Sequence, residues 1–290
     1  MQTDTNKYLY TTVIDFVEFR FVTKQPTNGF SIKRNTGFVY VEPVNEGAGG
    51  AATIFKVRFH DVTFWNDLER SIKKLKSLYE LESEPVISTL EVSFDAYSKD
   101  SNFDELVEHA TNFNTMLANP VSDNRRITFG VKNELILIHS KERLLTLLRR
   151  GGTICIGKQE SDDESMRIYI KTIDKKKPIP QDHYRARIEI TLRGNALPFS
   201  NLDDAKNYKF TELSRYFKFR QFKSYSTEGL TLIERTFAII GERKRRYRKG
   251  VGARMYSLST LAHTALNRIV YDNLRGMRSR LNTGRKRILR

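Results

Sequence analysis

The chain has 290 residues, 39% hydrophobic and 29% charged, a composition typical of a globular protein with a substantial core. Its single cysteine, Cys155, excludes an intramolecular disulfide and a cysteine-rich zinc site, and with no leader-like N-terminus a cytoplasmic protein is expected. No apolar run reaches the roughly 18 residues of a membrane span, so no membrane partner is expected.

The positive charge is concentrated at one end of the chain. The formal net charge is +16, and residues 241–290 contribute +13 of it, from 15 Lys and Arg against Glu242 and Asp272. This distribution is typical of proteins that bind nucleic acid, although a solvated basic tail is the alternative. The residues predicted to contact nucleic acid in this segment are Arg243, Lys244, Arg245, Arg246, Arg248, Lys249 and Arg254.

The N-terminal third reads mainly as strands. Aromatic and β-branched residues predict a long strand over Tyr8–Val22, whose alternation breaks around Asp15 and indicates a bulge or two-sided burial. A hairpin is predicted from Ser31–Arg34 and Phe38–Glu42, followed by a strand over Thr53–Phe59.

Helices and strands alternate in the next part of the chain. Apolar spacing predicts helices over Asn66–Leu81 and Asn102–Leu117. Between them, Val86–Tyr97 alternates as a strand with Glu91 and Asp95 on one face. These two carboxylates are roughly 13 Å apart along a regular strand, so one of them, but not both, can contact a given ion.

A second hairpin is predicted over residues 127–138, followed by a helix that Ser140 caps and that ends at Arg150. Ser257–Leu281 reads as one amphipathic helix. The predicted fold class is therefore α+β: duplicated antiparallel sheet units with packed helices over residues 1–200, then a small basic helical module over residues 201–290.

The segment 151–194 carries the most distinctive pattern. It predicts a short apolar strand at Thr153–Gly157 and two alternating strands at Met166–Thr172 and Tyr184–Leu192. If the two longer strands pair, a phenol, a carboxylate and several cations share one sheet face. That arrangement suits phosphoryl chemistry on DNA, and an ordinary solvated sheet face is the alternative.

The sequence contains candidate ligands for a hard cation. None of the five histidines has the spacing of a two-histidine metal motif. Four carboxylates lie within predicted strands and could ligate Mg²⁺ or Mn²⁺: Asp15, Glu91, Asp95 and Glu189. Pairing with neighbouring arginines is the alternative for all four, and it is the favoured interpretation for Glu91 and Asp15.

Tyr169 is the strongest candidate nucleophile, because it alternates with Arg167 and Lys171 on one strand face. Adjacent cations favour a phenolate, which can attack phosphorus to form a phosphotyrosine link. Tyr184 and Tyr216 are the other candidates.

The order of the motifs resembles the Rep-trans family of rolling-circle replication initiators and relaxases. The resemblance covers roughly residues 8–225. It rests on Ile14–Phe21, Leu90–Tyr97, Gly157 with Ser161, Arg167-Tyr169-Lys171, and Arg187-Glu189-Leu192-Arg193. The chain departs from the family at Thr172-Ile173-Asp174, where an acid often follows the lysine closely, and in its acidic loop Glu160–Glu164.

The resemblance implies a tyrosine that cuts one DNA strand with a divalent ion held by carboxylates. Carried over, it gives Tyr169 as the nucleophile flanked by Arg167 and Lys171, and Asp95 and Glu189 as metal ligands. Glu91 is a third candidate ligand, and Arg187 is a candidate DNA contact.

We therefore expect a replication initiator that binds origin DNA and nicks one strand. The alternatives are a non-catalytic DNA-binding initiator or regulator, a relaxase for conjugative transfer, and an RNA-binding or structural nucleoprotein component. DNA is the expected partner, with a host helicase and a second copy of the chain as further candidates.

Overall fold

The computed structural model describes residues 4–118, 121, 125–138, 140–157, 163–222 and 260–285. Its main strands are β1 (Tyr8–Asn28), β2 (Tyr40–Pro43), β3 (Ala51–Val62), β4 (Val86–Ser98), β5 (Arg126–Phe129), β6 (Thr153–Ile156), β7 (Glu164–Lys171), and, after the small β8 (Ile173–Asp174) and β9 (Lys177–Pro178), β10 (Arg185–Arg193). Two short strands follow, β11 (Arg220–Phe222) and β12 (Thr260–Ala262). The helices are α1 (Gly29–Thr36), α2 (Trp65–Leu78), α3 (Phe103–Met116), α4 (Lys141–Arg149), α5 (Leu202–Asn207), α6 (Thr264–Arg275) and α7 (Met277–Thr283).

One antiparallel sheet of eight strands organises the described residues, in the order β2-β3-β1-β4-β10-β7-β6-β5. The α+β class predicted from the sequence is confirmed. The three strands predicted within segment 151–194 are β6, β7 and β10, and the two longer ones pair as expected. Because β4 pairs with β10 at the centre, the two halves of the sheet are continuous.

The halves of the sheet each supply four strands but connect them differently. In the first half, β1-α1-β2-β3-α2-β4 forms two interlocked β-α-β crossovers, the split β-α-β arrangement. In the second half, β5, β6, β7 and β10 follow one another across the sheet as a meander, with α4 inserted after β5. The two units predicted as duplicates therefore match in strand number and differ in connectivity.

The helices pack on the apolar face of the sheet. Helix α3 contacts β4, β7 and β10, while α6 contacts β1. The core beneath them is aromatic: the Phe94 ring lies within 6.2 Å of the rings of Tyr10, Phe113, Phe217 and Phe219. Packing helices on one face leaves the opposite face of the central strands for polar side chains.

The predicted hairpin at Ser31–Arg34 is wrong, because that segment belongs to helix α1. The Asn28 side chain accepts a hydrogen bond from the Phe30 amide at the start of this helix. Gly37 ends it with a φ of 81°, the left-handed conformation that glycine adopts without strain. Capping residues at both ends outweigh the weak strand pattern between them.

Two other predicted elements are corrected in part. In the hairpin over residues 127–138 only β5 is a full strand, joined to Leu135 by a single bridge at Phe129. The predicted helix over Ser257–Leu281 is divided into β12, α6 and α7. His263 caps α6, and Gly276, with its low helix propensity, separates α6 from α7.

The described C-terminal helices lie against the rest of the molecule. Arg280 on α7 donates to the Thr12 carbonyl of β1, and Arg278 donates to the Lys206 carbonyl. Among the described residues, no helix combines the length and apolarity needed to cross a membrane.

Replacing Phe94 with Ala is expected to reduce the free energy of unfolding by about 3–5 kcal/mol, because the buried ring leaves a cavity that its aromatic neighbours cannot fill. Urea denaturation followed by circular dichroism measures this. Phe30→Ala is the control: its side chain is 69% exposed, so the change should stay within about 0.5 kcal/mol. Equal effects of the two substitutions would contradict the proposed core.

Candidate metal centre

The polar face of the central strands carries a dense charged cluster. Direct register places Glu189 opposite Arg167 and Arg187 opposite Tyr169, so the polar residues of β7 and β10 share one face as predicted. The adjoining strand β4 contributes Glu91 and Asp95 to the same face. Glu189 and Asp95 are about 1% exposed, which rules out an ordinary solvated sheet face at this point.

Three carboxylates converge at the centre of this cluster: Asp15, Glu91 and Glu189. One oxygen from each lies within 4.8 Å of the others, a spacing that could hold a metal ion. Three oxygen donors of this kind suit a hard divalent cation such as Mg²⁺ or Mn²⁺. We refer to these residues as the acidic triad.

Asp15 reaches the acidic triad because of a bulge in β1. The pairing of β1 with β4 shifts between Ile14 and Phe16, which leaves Asp15 as the extra residue. The broken alternation around Asp15 was the signal for this bulge in the sequence. On sequence grounds alone ion pairing is the favoured interpretation for Asp15, and the structure places it among the possible metal ligands instead.

Asp95, which the resemblance assigned as a ligand, lies outside the acidic triad. Both of its oxygens accept from Arg187, at 2.6 and 2.8 Å. It lies four positions after Glu91 on the same strand, which is the spacing that allows only one of the two to contact a given ion. Geometry selects Glu91, and Asp95 acts as the counter-ion of Arg187.

Arg187 is buried, and this corrects its predicted role as a DNA contact. Its side chain is 2% exposed and is surrounded by carboxylates. Besides Asp95, its Nη1 lies 2.5 Å from Asp15 Oδ1 and 3.2 Å from Glu189 Oε1. The guanidinium has no free surface for a phosphate, so its function is to hold three carboxylates in place.

Arg167 bridges the other two members of the acidic triad from a more open position. Its Nη2 lies 3.1 Å from Glu91 Oε2 and 2.7 Å from Glu189 Oε2, while 39% of its side chain is exposed. Glu189 Oε2 is buried and has no hydrogen bond among the described residues, despite this ion pair. A metal ligand needs an oxygen with a free lone pair, and Glu189 Oε2 is such an oxygen. The oxygens of the acidic triad therefore fit a divalent ion.

The electrostatics of the acidic triad are uneven. Burial and the neighbouring Glu189 raise the pKa of Glu91 to about 7. Burial also opposes ionisation of Asp15, but Arg187 and Lys171 together outweigh it and lower the pKa of that carboxyl. Near neutral pH, protonation of Glu91 therefore competes with cation binding.

Tyr169 lies next to the acidic triad but is not a phenolate. Its hydroxyl donates to Glu189 Oε1 at 2.5 Å. Burial and the Glu189 charge raise its pKa well above the usual value, in spite of Arg187 and Arg167. The expected net lowering of the Tyr169 pKa is therefore wrong, because burial and Glu189 raise it more than Arg187 and Arg167 lower it.

The remaining predicted residues are dispersed. Lys171 Nζ lies 3.0 Å from Asp174 and 3.8 Å from Asp15, at the border of the site. Tyr184 packs against Phe103, and the Tyr216 hydroxyl donates to Glu164. The basic cluster Arg243, Lys244, Arg245, Arg246, Arg248, Lys249 and Arg254 lies outside the described residues, as does Ser161.

A pocket adjoins the acidic triad on the side of the C-terminal helices. Its lining includes Asp15, Arg187 and Tyr97 of the sheet and Met277 and Leu281 of α7. Asp15 is the member of the triad that lines this pocket, so the triad borders an existing cavity through Asp15.

Comparison of the chain with protein-family models and with curated proteins finds no match in either.

Replacing Arg187 with Gln is expected to reduce the free energy of unfolding by about 3–5 kcal/mol, because Asp95 and Asp15 would remain buried without their cation. Urea denaturation at pH 7 measures this. The matched control is Arg70→Gln on the surface of α2, where the lost ion pair with Asp67 is exposed and worth less than about 1 kcal/mol. A small effect at Arg187 would show that the cluster does not support the fold.

Binding of Mn²⁺ is expected to weaken about tenfold between pH 8 and pH 6, because the Glu91 proton must leave before the cation binds and its pKa is about 7. The sign follows from the raised pKa: the protonated form persists up to neutrality, so affinity rises with pH. Isothermal titration calorimetry with MnCl₂ measures it. Glu91→Gln should weaken binding and flatten the pH dependence, whereas Glu84→Gln at an exposed position should change neither. Equal Mn²⁺ affinity in wild type and Glu91→Gln would contradict the site.

Proposed function

We propose that the protein is a divalent-cation-dependent DNA strand nickase that initiates rolling-circle replication, with Tyr169 as its nucleophile. One observation carries the proposal: the Tyr169 hydroxyl lies 2.5 Å from Glu189, a member of the acidic triad, on a single sheet face. Nucleophile and ligand set are thus close enough to act on one phosphodiester. The motif order that resembles the Rep-trans initiators and relaxases supports the same reaction.

The proposed reaction is a transesterification. The Tyr169 oxygen bonds to phosphorus, the bond from phosphorus to the 3′ oxygen breaks, and a free 3′-hydroxyl leaves. Glu189 Oε1 accepts the phenol proton, which its existing hydrogen bond prepares, and that proton ends on the 3′ oxygen. The cation would neutralise charge on the phosphate, held by Asp15, Glu91 and the second oxygen of Glu189.

The two oxygens of Glu189 have different surroundings, and this supports separate roles for them. Oε1 takes the Tyr169 hydrogen bond, whereas Oε2 faces Arg167 without one. Of the two arginines, Arg167 can move away from the acidic triad more easily, since its side chain is the more exposed. Its displacement would open the triad and leave a positive group beside the phosphate.

The basic segment 241–290 supports DNA as the substrate. It contains 15 Lys and Arg residues against two acidic residues, and this excess of positive charge favours binding to a polyanion such as DNA. In this proposal the segment binds the origin duplex, while the sheet face acts on one strand.

A second candidate function is sequence-specific DNA binding without catalysis. The observation that favours it is ion pairing: Arg167 and Arg187 already contact all three members of the acidic triad. A network of this kind can be purely structural.

Tyr169→Phe is expected to abolish a covalent protein–DNA adduct, because the attacking oxygen is removed while the ring remains. The measurement is an SDS gel of protein incubated with MnCl₂ and a 3′-fluorescein-labelled pool of random single-stranded oligonucleotides. Tyr184→Phe, which removes a hydroxyl outside the site, is the control and should retain the adduct.

An adduct formed by Tyr169→Phe would exclude Tyr169 as the nucleophile. Absence of any adduct with wild type, together with DNA binding that EDTA does not affect, would favour the non-catalytic candidate.

A further inference from the structure

A second feature of the polar face is a row of side chains that crosses five strands. Register places Arg193 opposite Thr89, Thr89 opposite Glu18, Glu18 opposite Arg58, and Arg58 opposite Tyr40. Directly opposed residues point to the same face, so these five side chains lie side by side from β10 to the edge strand β2. We call them the Arg193–Tyr40 row.

The Arg193–Tyr40 row has more positive charge than its one carboxylate can neutralise. Glu18 is buried and accepts from Arg58, with Arg58 Nη2 at 2.9 Å. Arg193 forms no ion pair with any described residue, and its buried Nη1 has no hydrogen-bond partner there. A half-buried cation without a counter-ion is costly unless a ligand supplies the negative charge.

The surroundings of Arg193 and Arg58 support binding of an anionic ligand at the row. Burial lowers the pKa of Arg193 more than the nearby Glu91 and Glu18 raise it, so these carboxylates do not fully offset its charge. Arg58 is held in place: its guanidinium carbon lies 4.3 Å from the centre of the Phe16 ring and 4.9 Å from that of Tyr40. Its side chain is still 30% exposed, so a ligand can reach it.

The Arg193–Tyr40 row runs beside the acidic triad. Thr89 and Glu91 are two residues apart on β4 and face the same way, a step of roughly 6–7 Å. The next cation beyond the row is Arg20, which is exposed and lies opposite Lys56. A chain of phosphates that passes over the triad therefore meets fixed arginines on this side.

We propose that the Arg193–Tyr40 row binds the phosphodiester backbone of single-stranded DNA next to the acidic triad. Arg193 and Arg58 contact phosphates, and Tyr40, half-buried at the sheet edge, offers a ring for base stacking. The proposal deepens the proposed function, on which it rests for the identity of the nucleic acid. It adds a binding surface that the motif resemblance does not supply.

The test is fluorescence anisotropy of 5′-fluorescein-labelled dT₂₀ in EDTA, where no cleavage takes place. Arg193→Gln and Arg58→Gln should each weaken binding about five- to tenfold and reduce the slope of log K against log salt by about 0.7, one phosphate contact each. Arg70→Gln, an exposed arginine on α2, should change neither value.

Arg193→Lys distinguishes a lost phosphate contact from a folding defect. It keeps the positive charge, so it should retain the wild-type salt slope. Wild-type affinity and slope in both glutamine variants would overturn the proposal. An equal loss of affinity for a 20-base-pair duplex, or tighter binding of rU₂₀ than dT₂₀, would overturn it too.

These results are independent of the nickase reaction. If no adduct forms with Mn²⁺ but dT₂₀ binding still depends on Arg193 and Arg58, the nickase proposal is contradicted and the binding role of the row is supported. If the adduct forms normally in both variants and dT₂₀ binding is unchanged, the binding role of the row is contradicted and the nickase proposal is supported.

Discussion

The structure of the central sheet depends on one buried guanidinium. Arg187 on β10 contacts Asp95 on β4, Asp15 on β1 and Glu189 on its own strand. Removing a cation from water is costly, and only several well-placed carboxylates can offset it. Because these carboxylates come from three adjacent strands, the interaction also fixes register: a slip of one residue would turn them towards the apolar core.

Both oxygens of Asp95 accept from Arg187, and Asp15 contacts the same guanidinium, which shapes the acidic triad. Glu91 and Glu189 share Arg167, and Glu189 also contacts Arg187. Burial, together with the neighbouring Glu189, raises the pKa of Glu91. A divalent cation would offset the charge of these carboxylates, and burial and Glu189 also keep the neighbouring Tyr169 hydroxyl protonated.

The two faces of the sheet serve different purposes. Helices cover the apolar face and bury it, which leaves the other face to hold charges that the core could not accept. Along that polar face the acidic triad lies between the pocket beside α7 and the Arg193–Tyr40 row. An acidic centre with a cationic neighbour is the arrangement that the proposed function needs, since the cationic row would hold the strand while the acidic centre holds the ion.

The sequence by itself determined the α+β class, most of the long helices and the strands of segment 151–194, because periodicity records which face of an element is buried. It also determined that Tyr169, Arg167, Glu189 and Arg187 share a face, since alternation and pairing suffice for that. It misjudged Ser31–Arg34, where caps at Asn28 and Gly37 outweigh a weak pattern.

Only the tertiary structure decided which carboxylates meet. Asp15 comes from a strand more than 70 residues away from Glu91 in sequence, and a one-residue bulge turns it into the site. The choice of Glu91 over Asp95 likewise depends on where Arg187 lies, which no local pattern records. The fold also decided the sign of the Tyr169 pKa shift, because burial and the contact with Glu189 raise the pKa more than Arg187 and Arg167 lower it.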